Sequence, residues 1–219
     1  MVSAMWYVLR TGIPWRDLPL CFGPWSSVYT RFRRWCASGL WLRLLALISR
    51  KPFGLIRCID CSHIKVHRDA ANTVGGQENQ AMGRTKGGLN TKLAAVVDGI
   101  GRAVGLHLAP GQQHDLPACE PLQPYLAGRW AVADRGFDSD RFRGSLASSG
   151  SHICIPPRSS RRSPFYFDRQ LYRQRHVVEN FFSRIKRHRR IATRYEKLAV
   201  TFHGFVCFAA VLDWLHHEL

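Results

Sequence analysis

Acidic residues are few in this chain of 219 residues: 15 Asp and Glu against 32 Lys and Arg leave a formal charge of +17 with His neutral. A deficit of that size points to a polyanionic partner, nucleic acid being the commonest, with a generally basic surface as the alternative. A cysteine framework is also missing. The seven cysteines are an odd number and scattered, which excludes the paired disulfide scaffold of a small secreted domain. The opening MVSAMWYVLRTG has neither a basic n-region nor a small-residue cleavage site, so no secretory signal is expected. No apolar run reaches the length of a membrane span. The longest, GFVCFAAVLDWL, is interrupted by Asp213 and reads as a buried helix. These absences together favour free thiols in a reducing cytoplasm.

What is present suffices for a folded core: 46% of residues are hydrophobic and 21% charged. The length fits one domain of ordinary size with a small satellite. Residues 1–50 are aromatic, basic and helical in period. PWSSVYTRFRRWCASG places Val28, Phe32 and Trp35 on one face with Arg31, Arg33 and Arg34 beside them, and LWLRLLALIS follows Gly39. Short helices joined by Gly-containing turns read either as a helix-turn-helix or as a helical cap on the main domain.

Over residues 55–219 strand patterns take over. LIRCIDCSHIKVH is a first strand, and KLAAVVDGIGRAVGLHLAPG a hairpin turning at Asp98, Gly99 and Gly101. A short helix in DLPACEPLQPYL, a buried strand in RWAVADRGF, a helix in DSDRFRGSLASSG and a strand in HICIPP follow. A long helix from about Leu171 to Arg190 and a closing helix complete the chain. The Gly- and Asn-rich ANTVGGQENQAMGRTKGGLNT reads as a loop. The order βββαβαβα(α) predicts an α/β fold with a mixed sheet flanked by helices.

RCIDCSHIKVH, with Cys58, Cys61, His63 and His67, has the look of a compact zinc site. Strand alternation argues otherwise: Cys58, Asp60 and Ser62 share one face, while Ile59, Cys61, His63 and Lys65 share the other. The two thiols therefore point apart, and no second Cys/His pair has zinc spacing. Asp60 is the more telling residue, because a buried strand carboxylate is costly unless paired or metal-bound. WAVADRGF ends another apolar strand on Asp134, at the open sheet edge where α/β sites form. Asp138 and Asp140, in FDSDRF, read as a turn residue and a helix cap.

A third acid lies in LYRQRHVVENFFSRIKRHRR. On a regular helix Tyr172, Arg175, Glu179 and Lys186 project within about 60° of one another, beside an apolar stripe of Val178, Phe181, Phe182 and Ile185. Taken alone this is either a salt-bridged solvent face or part of a site. With two sheet-edge aspartates upstream, it supplies the third member of an oxygen-only set suited to Mg²⁺ or Mn²⁺. Two such ions support in-line attack on a phosphodiester. Residues 157–197 hold 13 Lys and Arg against 3 Asp and Glu, more than half of the surplus charge, so DNA binding should depend strongly on salt.

These motifs resemble the D-D-E transposases of bacterial insertion sequences, in particular insertion sequence family five. Tyr172-x2-Arg175-x3-Glu179-x6-Lys186 matches the signature of that supergroup, VADRGFDSD and IDCSHIKVHRDAA resemble its two aspartate blocks, and RTGIPWRDLP and FGPWSSVYTRFRRW resemble its DNA-binding segment. GRTKGGLNTKLAAVVDGIGRAV, GQQHD, IPPRSSRR and RRIATRYEKLA are similar to its intervening blocks. The resemblance implies an RNase H-like catalytic domain over 55–219 and metal-dependent strand cutting and strand transfer. Asp60, Asp134 and Glu179 would be catalytic metal ligands. Tyr172, Arg175 and Lys186 would position the transposon end, with further DNA contacts from Arg31, Arg33, Arg34, Arg189 and Arg190. It also implies assembly as a dimer or larger complex on paired DNA ends. Cys61 stands where the family commonly has Ser or Thr. Family members usually carry several dozen residues before VSAMWYVLRTG, so the expectation includes a shortened N-terminus, with a catalytically silent DNA-binding remnant as the alternative function.

Overall fold

The computed structural model describes residues 1–218. Three helices come first, α1 (Val2–Thr11), α2 (Trp25–Ala37) and α3 (Leu40–Ile48), with Gly39 joining the last two. The long strand β1 (Ile56–Val66) follows, then α4 (Arg68–Ala71), β2 (Gly83–Thr85), β3 (Gly88–Val97), β4 (Ala103–Pro110) and α5 (Asp115–Cys119). The remainder alternates: β5 (Trp130–Val132), α6 (Asp140–Ser148), β6 (His152–Cys154), α7 (Arg169–Tyr172), α8 (His176–Ile185), α9 (Arg189–Ala192), β7 (Thr193–Arg194) and α10 (Ala199–Glu218).

The seven strands form one mixed sheet in the order β2-β3-β1-β5-β6, with β4 paired to β3 and β7 to β1. β1, β3 and β4 make an antiparallel meander. β5 runs parallel to β1 through Ile56↔Trp130 and Cys58↔Val132, and β6 parallel to β5. The apolar run Leu93–Val97 of β3 is wholly buried because helices cover both sheet faces. On one face Cys58 and Asp60 of β1 meet Gln174 and Arg175, and on the other Cys61 meets Cys119 of α5. The predicted hairpin turn is present: buried Asp98 accepts from the N–H groups of Phe53, Ile100 and Arg102 and from the Arg102 guanidinium. Gly101 is required there, since a Cβ would lie 2.9 Å from the Val177 carbonyl of α8 and its φ is +87°.

Two sequence readings need correction. The Gly/Asn-rich stretch before β3 is not all loop, because β2 pairs with the start of β3 through Gly83↔Asn90 and Thr85↔Gly88. Its strand state is imposed from outside: a Cβ on Gly83 would fall 1.3 Å from Gln112 Oε1, so this segment is packed under the Gly111-Gln112 turn. The long helix is also interrupted. It starts earlier, capped by Asp168 Oδ1 accepting from the N–H groups of Gln170 and Leu171, tightens into a 3₁₀ turn at Arg173–Arg175, and ends at Ile185. Beyond Ile185 the chain is drawn to β1, where β7 pairs with Lys65 and Val66.

One hydrophobic core runs from the N-terminal helices to the sheet. Phe32 of α2 packs tilted against Phe205 of α10 at 4.2 Å between centroids, and Trp41 of α3 stacks on Phe208 at 4.3 Å. α10 is long and apolar enough to cross a membrane by length and composition, yet most of its length is enclosed by α2, α3, α8 and β4. Asp213, which interrupts its apolar run, accepts two hydrogen bonds from Arg184 of α8 at 2.7 and 2.9 Å.

Candidate active site

Asp60 sits midway along β1 opposite Ala95 of β3, on the sheet face covered by α8. Its side chain is 17% exposed. Oδ1 accepts from the Cys61 N–H at 2.8 Å and Oδ2 from Arg175 Nη1 at 2.8 Å. Burial raises its pKa to about 6; the Cys61 N–H and Arg175 oppose the rise, and Asp134 and Asp115 add to it by repulsion. Asp134 is therefore near enough to Asp60 for its charge to be felt.

Asp134 lies just past β5, where it caps the 3₁₀ turn Arg135–Phe137 and accepts from the Gly136 N–H at 2.8 Å. Gly136 is needed for space. A Cβ there would sit 2.9 Å from Asp134 Oδ1, so any side chain would displace the carboxylate. Glu179, on α8, is 53% exposed and accepts from Arg175 Nη2. The single guanidinium of Arg175 thus bridges Asp60 and Glu179. Burial disfavours its charge, but the two carboxylates more than offset this and raise its pKa. The stripe Val178, Phe181, Phe182 and Ile185 is buried as predicted, with Val177 added, which fixes the face α8 turns to the sheet.

Lys186 projects back to β1, donating to Ser62 Oγ at 2.6 Å and to the His63 carbonyl at 3.0 Å, and burial lowers its pKa. Tyr172 is half-buried, edge-on to Phe167 at 5.7 Å and close to Arg175. Two of the four signature residues, Arg175 and Lys186, therefore reach β1, and Glu179 is tied to the first of them, although the helix carrying them is not continuous. Sequence reasoning gave Ser62 no role; its place on the same strand face as Asp60 was the available signal.

The remaining predicted residues divide. Arg31, Arg33 and Arg34 on α2 are exposed, as is Arg189. Arg190 is not. It is 6% exposed, its Nε donates to Glu196 at 2.7 Å, and its Nη1 donates to the carbonyls of Gly12 and Ile13. Its charge ties the end of α1 to the chain after α9, which removes it from the DNA-contact set. The two thiols of the opening motif do point apart: Cys58 Sγ lies 3.5 Å from the Gln174 carbonyl and Cys61 Sγ 3.4 Å from Cys119 Sγ.

Among the described residues no three His, Cys, Asp or Glu side chains converge closely enough to hold a metal ion. The fit of a divalent cation is instead carried by donor chemistry. Asp60 and Glu179 already share one cationic partner, and the charge of Asp134 is felt at Asp60. All three offer hard oxygen donors of the kind Mg²⁺ and Mn²⁺ take.

Comparison with known proteins gives concordant results. A family model described as "Transposase DDE domain" matches residues 51–212, and one described as "Putative transposase of IS4/5 family" matches residues 1–45. The chain is 39% identical over 131 residues to "Putative transposase for insertion sequence element IS6501" from Brucella ovis, covering 58% of this chain and 99% of that protein. It is 36% identical over 86 residues to "Insertion element IS402 uncharacterized 16.2 kDa protein" from Burkholderia cepacia, covering 38% of this chain and 56% of that one. No solved structure matches it. The mixed sheet with its flanking helices is the RNase H-like fold that the DDE domain implies. On these matches, the chain belongs to the DDE transposases of the IS4/5 type.

Proposed function

We propose that this DNA transposase cleaves DNA at the ends of its insertion sequence and joins the 3′-hydroxyl ends to target DNA, dependent on Mg²⁺ or Mn²⁺ held by Asp60, Asp134 and Glu179. The observation that supports the reading is the Arg175 bridge, through which Asp60 of β1 and Glu179 of α8 share one guanidinium, while the charge of Asp134 is felt at Asp60. When bound, a pair of such cations supplies nucleophile activation and charge neutralisation for in-line attack on a phosphodiester. The chain's own groups hold and orient the DNA. The Gly136 N–H fixes the Asp134 carboxylate, and Lys186 braces the strand two residues beyond Asp60. Tyr172, Arg175 and Lys186 position the transposon end, while exposed Arg31, Arg33, Arg34 and Arg189 meet flanking phosphates. Two or more copies assemble on paired ends, and the reaction takes place in the cytoplasm.

The test is strand transfer in Mg²⁺ with pre-cut ends taken from the DNA flanking the gene. The wild type should give joined product, and Glu179→Ala should lose it by about 10²-fold or more. Joining that survives Glu179→Ala would overturn the three-acid mechanism. DNA binding by the wild type with neither cleavage nor joining would select the binding-only remnant instead.

A further inference from the structure

The loop after β6 carries IPPRSSRR, to which the reaction above gives no task. It is fastened to the turn that bears Asp134. Asp138, 2% exposed, lies at the junction. Oδ1 of Asp138 accepts from Arg143 Nε at 2.7 Å and Arg161 Nη2 at 3.0 Å. Oδ2 accepts from Arg161 Nε at 2.8 Å and the Arg158 N–H at 2.7 Å. Arg161 Nη1 reaches Asp140 as well, and the Phe165 ring lies against the guanidinium groups of Arg143 and Arg161. Arg143 and Arg161 are thereby neutralised and immobile.

Two arginines remain. Arg158 is exposed, and its Nη2 donates to the carbonyl of Gly136, the residue whose N–H holds Asp134. Arg162 is exposed and, among the described residues, makes no hydrogen bond or ion pair. Both line an open cleft of about 520 Å³ together with Ser139, Ser160 and Ser163. Three arginines against two aspartates leave the cleft cationic, and the hydroxyls add neutral donors. Guanidinium groups on a fixed backbone are suited to phosphate oxygens.

We propose that Arg158 and Arg162 form a phosphate clamp that grips the DNA backbone next to the phosphodiester held at Asp134, with Asp138 as the positioning residue that fixes the loop. The assignment rests on the transposase reading for its ligand, since the clamp abuts the turn of the second acid. Each clamp arginine meets one backbone phosphate, independent of base sequence.

The experiment is binding of the full chain to a short duplex in EDTA, where no chemistry is needed, measured by fluorescence anisotropy across a salt series. Arg158→Ala and Arg162→Ala should each reduce the slope of log K against log salt by about 0.9, while both melt at the wild-type temperature. Arg141→Ala is the charge control. Arg141 is exposed on α6 and paired with Glu120, so the slope should not change. Arg158→Lys, which keeps a charge at that position, should retain most of the slope. An unchanged slope in the two alanine variants, or an equal fall in Arg141→Ala, overturns the clamp. So does a rise in melting temperature with inorganic phosphate at constant ionic strength without a change in DNA slope, which assigns the cleft to a small anion. A protein that binds through the clamp yet never joins ends defeats the chemistry above and leaves the clamp standing.

Discussion

Asp60 occupies a strand position where a carboxylate ionises reluctantly, and this has a consequence for stability. Burial holds its pKa near 6 in the folded chain, against about 3.9 when unfolded. Between those values the folded state binds the extra proton, so Asp60's contribution is fully favourable below about pH 4 and is lost as pH climbs through 6. The gap between the folded and unfolded values is worth about 2–3 kcal/mol. Asp60→Asn carries no such titration. The difference in unfolding free energy between Asp60→Asn and the wild type should therefore grow in favour of the variant from about pH 4 to about pH 7. Denaturant titrations at several pH values measure it, and taking the difference cancels the histidines that titrate nearby. A difference independent of pH would mean that Asp60 is already compensated by Arg175. The placement of Asp60 within a strand, Asp134 just past a strand end and Glu179 on a helix face was legible in the sequence, from strand burial, sheet-edge position and helical period. Arg190 was not legible, because its interior position comes from the distant carbonyls of Gly12 and Ile13. No local periodicity encodes that contact.

At the level of elements, the β5–α6 and β6–α7 connections are joined by one buried carboxylate. Burial alone would raise the pKa of Asp138, but hydrogen bonds from Arg161, the Arg158 N–H and Arg143 outweigh it and hold it well below the usual carboxylate range. Its stabilising effect is present above the unfolded carboxylate pKa of about 4 and is lost as pH falls further. Asp138→Ala leaves the buried Arg143 without its carboxylate and should destabilise by about 3–5 kcal/mol, seen as a large fall in melting temperature at neutral pH. A loss under about 1 kcal/mol would show the loop to be held by other contacts. Sequence reading placed Asp138 in a turn and made Asp140 the helix cap. The cap is Ser139, which accepts from the Phe142 N–H, and Asp140 is the first helical residue. FDSDRF offers three adjacent residues able to cap, and which one does so depends on the arginines arriving from the next connection. The broken signature helix has a similar cause. No Gly or Pro lies between Leu171 and Arg190 to announce its end, while the pull of Lys186 and β7 toward β1 acts only in the folded chain.

For the molecule as a whole, the question is whether the N-terminal helices are an attached satellite or part of the main core. Their aromatic faces were readable from helical period; their seat was not, because it depends on a gap in α10. Gly204 provides that gap. A Cβ there would lie 2.3 Å from Cys36 Sγ of α2, with Cys36 Cβ at 3.3 Å and Trp41 Cδ1 at 3.4 Å. Cys36 is buried. If the N-terminal helices were loosely attached, Gly204→Ala would stabilise α10 by about 1 kcal/mol through helix propensity. With α2 and α3 seated as observed, the same substitution overpacks the interface and should destabilise by about 1–3 kcal/mol despite that gain. Cys36→Ala removes the clashing sulfur, so Cys36→Ala/Gly204→Ala should be more stable than the sum of the two single changes by at least about 1 kcal/mol. Thermal or denaturant melts of the four proteins close the cycle. Additivity, together with a stabilised Gly204→Ala, would show that α2 does not rest on α10 in solution. A positive coupling would mean that α2, with its exposed Arg31, Arg33 and Arg34, rests on α10 in solution as it does in the structure.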